Sequence, residues 1–526
     1  MTAAPTLPLP LDERERQRLT VQDALDARKT REERNRLGQF ATPPALAGDI
    51  VRFLHTLLPA HRPVRFLEPA MGTGAFCSAL LSGLPAGSSG VGYELDPAFA
   101  SAAQALWEDF PLDVRPGDFT RAEPDEPGFD LLVSNPPYVR HHHLSPPDKV
   151  RLRGLSEVRA GIRPSGYTGL YGHFLLLAHP WVRPGGHSVW LIPSEFMDVG
   201  YGKALQQYLT QEVTLLRLHR FDPRDAQFAD ALVSSAILVL RHERPPEGHQ
   251  AHFSYGGTLA TPQHNETVPL ATLTTSAKWS RFGMPPSDEP APTAETRLKD
   301  LFDIRRGAAT GDNSFFVLSE DRAHELGLPA AFLRPVLPSP RYLKTDEVIG
   351  DADGLPLLPQ RLFLLDCDLD VGTVEREHPA LWAYLRQGVE REVSDRYLCA
   401  NRSPWYRQER RPPPPFLCTY MGRSQEGNPF RFILNTSQAT ATNVYLLLYP
   451  KGAMKRALEE RPDLQREVWR ELNALGADLL KGEGRVYGGG LHKLEPRELA
   501  NAPADRISAL LGAPVATRQP HLFQPE

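Results

Sequence analysis

Between residues 45 and 250, short apolar runs alternate with longer stretches in which apolar side chains recur every three or four positions. The runs Val64–Leu67, Gly90–Tyr93, Leu131–Val133, Ser188–Ile192 and Ala236–Leu240 predict strands. Ala75–Leu81, Ala98–Glu108, Gly169–Trp181 and Lys203–Thr210 predict helices. Strands separated by helices imply βαβ units and a doubly wound, largely parallel sheet. Residues 11 to about 37 differ: charges of both signs surround Leu11, Leu19, Val21, Leu25 and Leu37. That thin apolar stripe predicts an exposed helical arm, expected to be a solvated helix packed on the next domain rather than a DNA- or partner-contacting arm.

Residues 242–300 change character, from RPPEGHQ through a polar region to MPPSDEPAPTAET, and read as a boundary and linker. Beyond 300 the periodicity is less regular, with a proline run at Pro412–Pro415 and several aromatics, which fits a second, α+β domain. The expected organisation is an arm at 1–37, an α/β domain at 38–245, a connecting region at 246–300 and an α+β domain at 301–526.

The length of 526 residues agrees with several domains. With 41% apolar and 23% charged residues, most of the chain is expected to fold. The net charge of −5 excludes a generally basic nucleic-acid coat protein but leaves room for an enzyme with a local basic cleft. Of the 59 basic residues 49 are Arg, and Pro reaches 51; this is read chiefly as the codon bias of a GC-rich genome. Cys77, Cys367, Cys399 and Cys418 are too scattered for a disulfide framework or a zinc site. No basic, apolar leader opens the chain and no run approaches ~18 apolar residues. A soluble, cytoplasmic protein without membrane contact is expected.

Candidate chemistry begins where the first strand runs into Glu68-Pro69-Ala70-Met71-Gly72-Thr73-Gly74 and a helix follows. Glycines let the backbone approach a ligand, and the helix start offers free N–H groups. No Gly-Lys-Ser/Thr follows and no full G-x-G-x-x-G is present, so neither a P-loop nor a dinucleotide site is favoured. The next strand ends at Glu94, about 20 residues on, where an acidic side chain is placed to bind ribose hydroxyls. The pair points to an adenosine-type cofactor. Gly117-Asp118-Phe119 reads on its own as an ordinary loop, with a contact of Asp118 to the cofactor's adenine amine and of Phe119 to its ring as the alternative.

A further strand ends in Asn135-Pro136-Pro137-Tyr138. Two prolines stiffen the loop and remove two donors, so it presents acceptors, to which Asn135 adds a side-chain carbonyl. Two acceptors suit an amine with two hydrogens, and Tyr138 offers a flat face beside it. Such acceptors draw a ring NH2 towards tetrahedral geometry and stabilise charge developing on its nitrogen. The order of these motifs, with Gly38-Gln39-Phe40-Ala41-Thr42-Pro43-Pro44 upstream, resembles the TaqI-like, gamma-class adenine-N6 DNA methyltransferases.

The resemblance covers residues 38–240 and implies a Rossmann-like, S-adenosylmethionine-dependent methyltransferase domain followed by an α+β target-recognition domain. It implies that Thr42 belongs to a loop over the cofactor's methionine, that Glu68, Ala70, Gly72 and Gly74 form the methionine loop, that Glu94 meets the ribose, and that Asp118 and Phe119 meet the adenine. Asn135 and the Pro136 carbonyl would hold the target amine in the loop stiffened by Pro137. Tyr138 would stack on a flipped base, and Phe228, with Phe221 as rival, would close its other face. Met71 stands where small or acidic residues are frequent in the family.

In the second domain, Asp303–Asn313, Ser403–Tyr406, Arg431–Asn435 and Tyr487–Pro496 resemble segments of target-recognition domains, less specifically. Between Arg391 and Arg423 seven Arg face three acids. Arg396, Arg402, Arg407, Arg410 and Arg423 with Trp405 and Tyr406 are therefore expected to contact DNA. Arg140-His141-His142-His143 is expected to be a DNA-facing loop, since contiguous histidines rarely all face one ion; no metal is expected. The implied activity is methylation of adenine N6 in a duplex site, with the base flipped out of the stack. Double-stranded DNA and a cognate restriction endonuclease or defence-system protein are the implied partners. An RNA- or protein-amide methyltransferase and a non-catalytic DNA-binding subunit remain as alternatives. No nuclease module of the Asp…Glu-x-Lys kind is visible.

Overall fold

The computed structural model describes residues 11–58, 61–124, 128–222, 225, 227, 234–276, 278–285, 295–423, 429–476, 479–480, 484–487 and 491–512. The chain divides into two compact units, with the boundary between Asp288 and Glu289.

The first unit opens with two helices, α1 (Leu11–Asp26) and α2 (Arg31–Leu37). The side chain of Thr30 starts α2 by accepting from the Glu33 N–H, while the Glu33 carboxylate accepts from the Thr30 N–H. After α3 (Pro44–Leu54) come β1 (Arg65–Glu68), α4 (Ala75–Leu81), β2 (Ser89–Glu94), α5 (Pro97–Trp107), β3 (Leu112–Pro116) and β4 (Phe129–Ser134). Then follow α6 (Pro146–Ala160), α7 (Leu170–Leu177), β5 (Val182–Pro193), α8 (Lys203–Gln211), β6 (Thr214–Arg220), β7 (Ser235–Arg241), β8 (Gln250–Gly257) and β9 (Pro262–Pro269). Element starts follow local chemistry: Asp96 caps α5 by accepting from the Ala98 N–H at 2.9 Å, and Pro97 occupies the first turn, where no donor is needed.

The nine strands form one sheet in the order β3-β2-β1-β4-β5-β7-β6-β8-β9. β3, β2, β1, β4 and β5 are parallel, whereas β7 runs antiparallel to both β5 and β6. The chain winds outward from β1 to β3, then returns to lay β4 on the other side of β1. That reversal opens a crevice beyond the carboxyl ends of β1 and β4, where doubly wound sheets bind ligands. Phe66, Leu67, Leu131, Leu132 and Val133 are fully buried, as strands sandwiched on both faces require.

Two readings of the sequence change. Residues 246–300 are not simply a connection: β8 pairs in parallel with β6, and β9 pairs antiparallel with β8. Ala251, Phe253 and Trp279 lie in the same core as β1. The polar positions of β9 point outward, which hid it among loop-like composition. The arm at 11–37 does pack on the domain behind it, but through polar residues. Arg14, Arg18, Gln22 and Leu25 form its buried face, whereas Leu37 is exposed.

The second unit is α+β. A five-stranded mixed sheet joins Phe302–Arg306, Tyr445–Pro450, Phe416–Thr419, Phe432–Asn435 and Glu347–Val348 in that order, and two three-stranded sheets accompany it. Helices Pro379–Glu390, Gly452–Glu460 and Leu464–Asn473 supply much of the remaining packing. Among the described residues no helix is long and apolar enough to cross a membrane.

Candidate active site

Because β3, β2, β1 and β4 are parallel neighbours, the loops after them emerge along one sheet edge. They border a cavity of about 540 Å³. Thr42, Glu68, Ala70, Gly72, Glu94, Asp118 and Phe119 line it, together with Asn135 and Pro137. The α-faces of Gly72 and Gly117 have no atom within 4 Å of where a side chain would begin, so backbone is laid bare at the wall. Gly74 is not on the wall. Its φ is 91°, and a Cβ there would lie 2.6 Å from Nε1 of Trp107. That indole donates to the Thr73 carbonyl at 2.9 Å, so Gly74 serves the packing beneath the loop.

Glu94 is built into the glycine loop. One carboxylate oxygen accepts from the Gly72 N–H and the other from the Asp96 N–H, both at 2.8 Å. Burial pushes its carboxyl above the ordinary range, while these two N–H groups pull the other way. Each oxygen keeps acceptor capacity for a second donor. Glu68 points inward: its carboxylate accepts from the Cys77 N–H at 3.1 Å and the Cys77 thiol at 2.8 Å, which ties β1 to the start of α4. Burial pushes Glu68 up to about 8, against those hydrogen bonds and the Arg18 charge. Asp118 spends one oxygen on the N–H and hydroxyl of Thr120, and its other oxygen lies 3.3 Å from Arg121. Phe119 packs against Trp181, with ring centres 4.9 Å apart.

The Asn-Pro-Pro-Tyr loop is held from behind by the 38–44 segment. The Tyr138 N–H donates to the Gly38 carbonyl at 3.1 Å. Gly38 has a φ of 66°, and a Cβ would stand 2.4 Å from the Tyr138 nitrogen, so only glycine permits this approach. The Asn135 amide donates to the Phe40 carbonyl at 2.9 Å and to the Thr42 hydroxyl at 3.1 Å. A carbonyl only accepts, so the amide orientation is fixed with nitrogen towards Phe40. Its oxygen is then buried with no hydrogen-bond partner among the described residues.

Pro136 and Tyr138 are not on the cavity wall. Tyr138 is 7% exposed, donates its hydroxyl to the Leu191 carbonyl at 3.0 Å and lies 5.6 Å from the Phe40 ring. Burial pushes its phenol up, so it stays neutral. Phe221 is buried edge-on against His219 at 4.9 Å; Phe228 lies outside the described residues. His141–His143 form one short 3₁₀ turn with no buried member. Among the described residues no group of side chains is arranged to hold a metal. Sequence reasoning missed Arg18, Gln22 and Asp26, which also line the cavity. Their spacing of four was the available signal, obscured because the buried face of α1 is polar.

Several arginines of the arginine-rich stretch have partners within the second unit, while Arg396 and Arg410 also stay largely exposed. Arg396 pairs with Asp312 at 2.9 Å, and Arg402 donates to the Thr310 carbonyl at 3.0 Å. Arg410 reaches Asp368 at 2.8 Å and Asp366 at 3.3 Å. Tyr406 is buried with its hydroxyl on the Leu369 carbonyl, and Trp405 packs on Phe315 and Phe316. Arg407 is exposed; the Arg423 side chain lies outside the described residues.

Two family models match the chain. Residues 98–227 match the Eco57I restriction-modification methylase, and residues 291–514 match the C-terminal domain of Type II methyltransferase M.Eco57I. Type II methyltransferase M.XamI of Xanthomonas campestris pv. amaranthicola is 28% identical over 473 residues, spanning 88% of this chain and 84% of that protein. Type II methyltransferase M.AccI of Acinetobacter calcoaceticus is 24% identical over 492 residues, spanning 89% and 85%. Type II methyltransferase M.TthHB8I of Thermus thermophilus is 31% identical over 187 residues, 34% of this chain and 39% of that protein.

Proposed function

Starting from a chain that belongs to the Type II restriction-modification methyltransferases, we propose that it transfers a methyl group from S-adenosylmethionine to N6 of an adenine flipped out of duplex DNA. The cofactor, when bound, supplies a methyl group on a positively charged sulfur. The wall fits it: a carboxylate at the end of β2 for the ribose hydroxyls, glycine backbone laid bare at Gly72, and Asp118 and Phe119 for the adenine.

The observation that carries the reading is the Asn135 oxygen, buried without a hydrogen-bond partner among the described residues. Leaving a buried acceptor unpaired costs ~1–3 kcal/mol, a cost repaid when an amine donor arrives. With its nitrogen fixed by Phe40 and Thr42, Asn135 has only acceptor capacity to offer the target. The Pro136 carbonyl is the second acceptor. Together they favour the amine as its nitrogen becomes tetrahedral and positive, so no strong base is needed before transfer. The methylated nitrogen is acidic and gives up its proton afterwards.

The target N6 cannot be reached inside the stack, and unstacking costs a few kcal/mol. Stacking on Tyr138, whose buried ring must be uncovered as the base enters, and on an aromatic from the 221–228 segment offsets part of that cost. The second unit reads the site, with Arg407 among its phosphate contacts, and the enzyme works in the cytoplasm beside a cognate restriction endonuclease. The test is Asn135→Ala: methylation of DNA is expected to fall at least ~100-fold while cofactor binding, measured by calorimetry, persists. Methylation at the wild-type rate would remove Asn135 from the site.

A further inference from the structure

Helix α1 lies before every motif that marks the cofactor site, yet its buried face is directed at that site. Arg18, 1% exposed, donates to the Thr73 hydroxyl at 3.0 Å. The same hydroxyl donates to the Gln22 side-chain oxygen at 2.7 Å. Thr73 sits between Gly72 and Gly74 at the tip of the loop after β1, and Trp107 holds its carbonyl. The glycine-flanked Thr73 of the cofactor wall is thereby held by side chains 51 and 55 residues upstream. Arg18 is itself locked by two bonds to Glu15, at 2.7 and 2.6 Å, so its guanidinium arrives oriented. A second tie comes from the turn after α1, where Lys29 pairs with Asp96 at 2.5 Å and donates to Gln39 at 2.8 Å. Asp96 follows Glu94 and also gives Glu94 its backbone N–H. Arg14 anchors the start of the helix to Asp109 at 3.3 Å, just past α5.

We propose that the N-terminal helix is a positioning element of the cofactor site, in which Arg18 and Gln22 set the loop after β1 through Thr73 and Lys29 sets the loop after β2 through Asp96. The inference rests on the S-adenosylmethionine reading of the cavity. Both loops have bonds to the domain body, Met71 N–H to the Tyr93 carbonyl and Trp107 to the Thr73 carbonyl in the first and Asp96 to the Ala98 N–H in the second, but the Thr73 side chain itself is held by α1 and the second Asp96 oxygen by Lys29. The arm supplies outside reference points to both. Binding then no longer has to order two loops, and preorganisation of this kind appears as cofactor affinity.

Arg18→Met, Gln22→Leu and Lys29→Met in the full chain test this. Arg18→Met is expected to weaken S-adenosylmethionine binding about tenfold or more by calorimetry, raise its KM in parallel, and leave kcat at saturating cofactor within about twofold. The thermal midpoint without cofactor should move by only a few degrees. In a cycle with Thr73→Val, Arg18→Met should add little to the loss already caused, because both remove one contact, whereas Lys29→Met should add in full. If Arg18→Met does not fold, Gln22→Leu carries the Thr73 arm of the test and Lys29→Met the other. Unchanged cofactor affinity in these variants, or full additivity of Arg18→Met with Thr73→Val, would overturn the proposal. A wild-type protein that binds no S-adenosylmethionine would instead overturn the reading of the cavity.

Discussion

At the residue scale, the proposed site is built from side chains whose hydrogen-bonding capacity is divided. Asn135 spends its nitrogen on the scaffold and keeps its oxygen, while Glu94 clamps two backbone N–H groups with acceptor capacity to spare. Glu68 is the opposite case: its nearest partners are the backbone and thiol of Cys77. With its carboxyl raised to about 8, the native state holds a proton there more tightly than the unfolded chain does. Stability from this group is therefore present at low pH and falls as pH rises from the ordinary carboxylate range to about 8. Glu68→Gln keeps an acceptor for Cys77 and removes the titration. Between pH 5 and 8 the wild type should lose on the order of a few kcal/mol relative to Glu68→Gln in denaturant unfolding. Parallel curves would show that Glu68 is ionised throughout. The residue types were legible in the sequence because glycines, an acid at a strand end and Asn-Pro-Pro-Tyr are rare in that order. Their division of labour was not: that Glu68 faces Cys77, or that Gly74 accommodates Trp107, depends on contacts between separate elements.

At the element scale, the apolar patterns predict β1, α4, β2, α5, β4, α7, β5 and α8 but not β3 or α6, and α4 spans the expected Ala75–Leu81. Where the pattern failed, polar residues were doing structural work. β9 is an outward-facing edge, and α1 buries Arg14, Arg18 and Gln22 beside Leu25. In the arginine-rich stretch Arg396, Arg402 and Arg410 have carboxylate and carbonyl partners within the unit, and Arg396 and Arg410 keep exposed surface as well. A count of charges records composition, but partners decide whether charge is available to a phosphate. The junction between the 38–44 segment and the Asn-Pro-Pro-Tyr loop gives a test at this scale. Gly38→Ala combines a left-handed backbone with a contact against the Tyr138 nitrogen. It should cost about 2 kcal/mol or more in thermal unfolding and reduce methylation further than stability alone explains, since the loop carrying Asn135 must shift. A stable, fully active Gly38→Ala would show that the two segments are not coupled.

At the scale of the whole molecule, the chain pairs a doubly wound methyltransferase unit with an α+β unit, and the family matches fall on both. The net charge of −5 says little about DNA, because it averages over the whole chain and does not record where charge is exposed. In the proposed reading, what the molecule modifies is decided by the chemistry at the end of β4. The direct measurement is to incubate the protein with isotopically labelled S-adenosylmethionine and DNA, RNA or protein in separate reactions, then digest and identify the labelled product by mass spectrometry. N6-methyladenine in duplex DNA, absent from the RNA and protein reactions, is the predicted result. Label in N4-methylcytosine, in RNA or in a protein amide would contradict it.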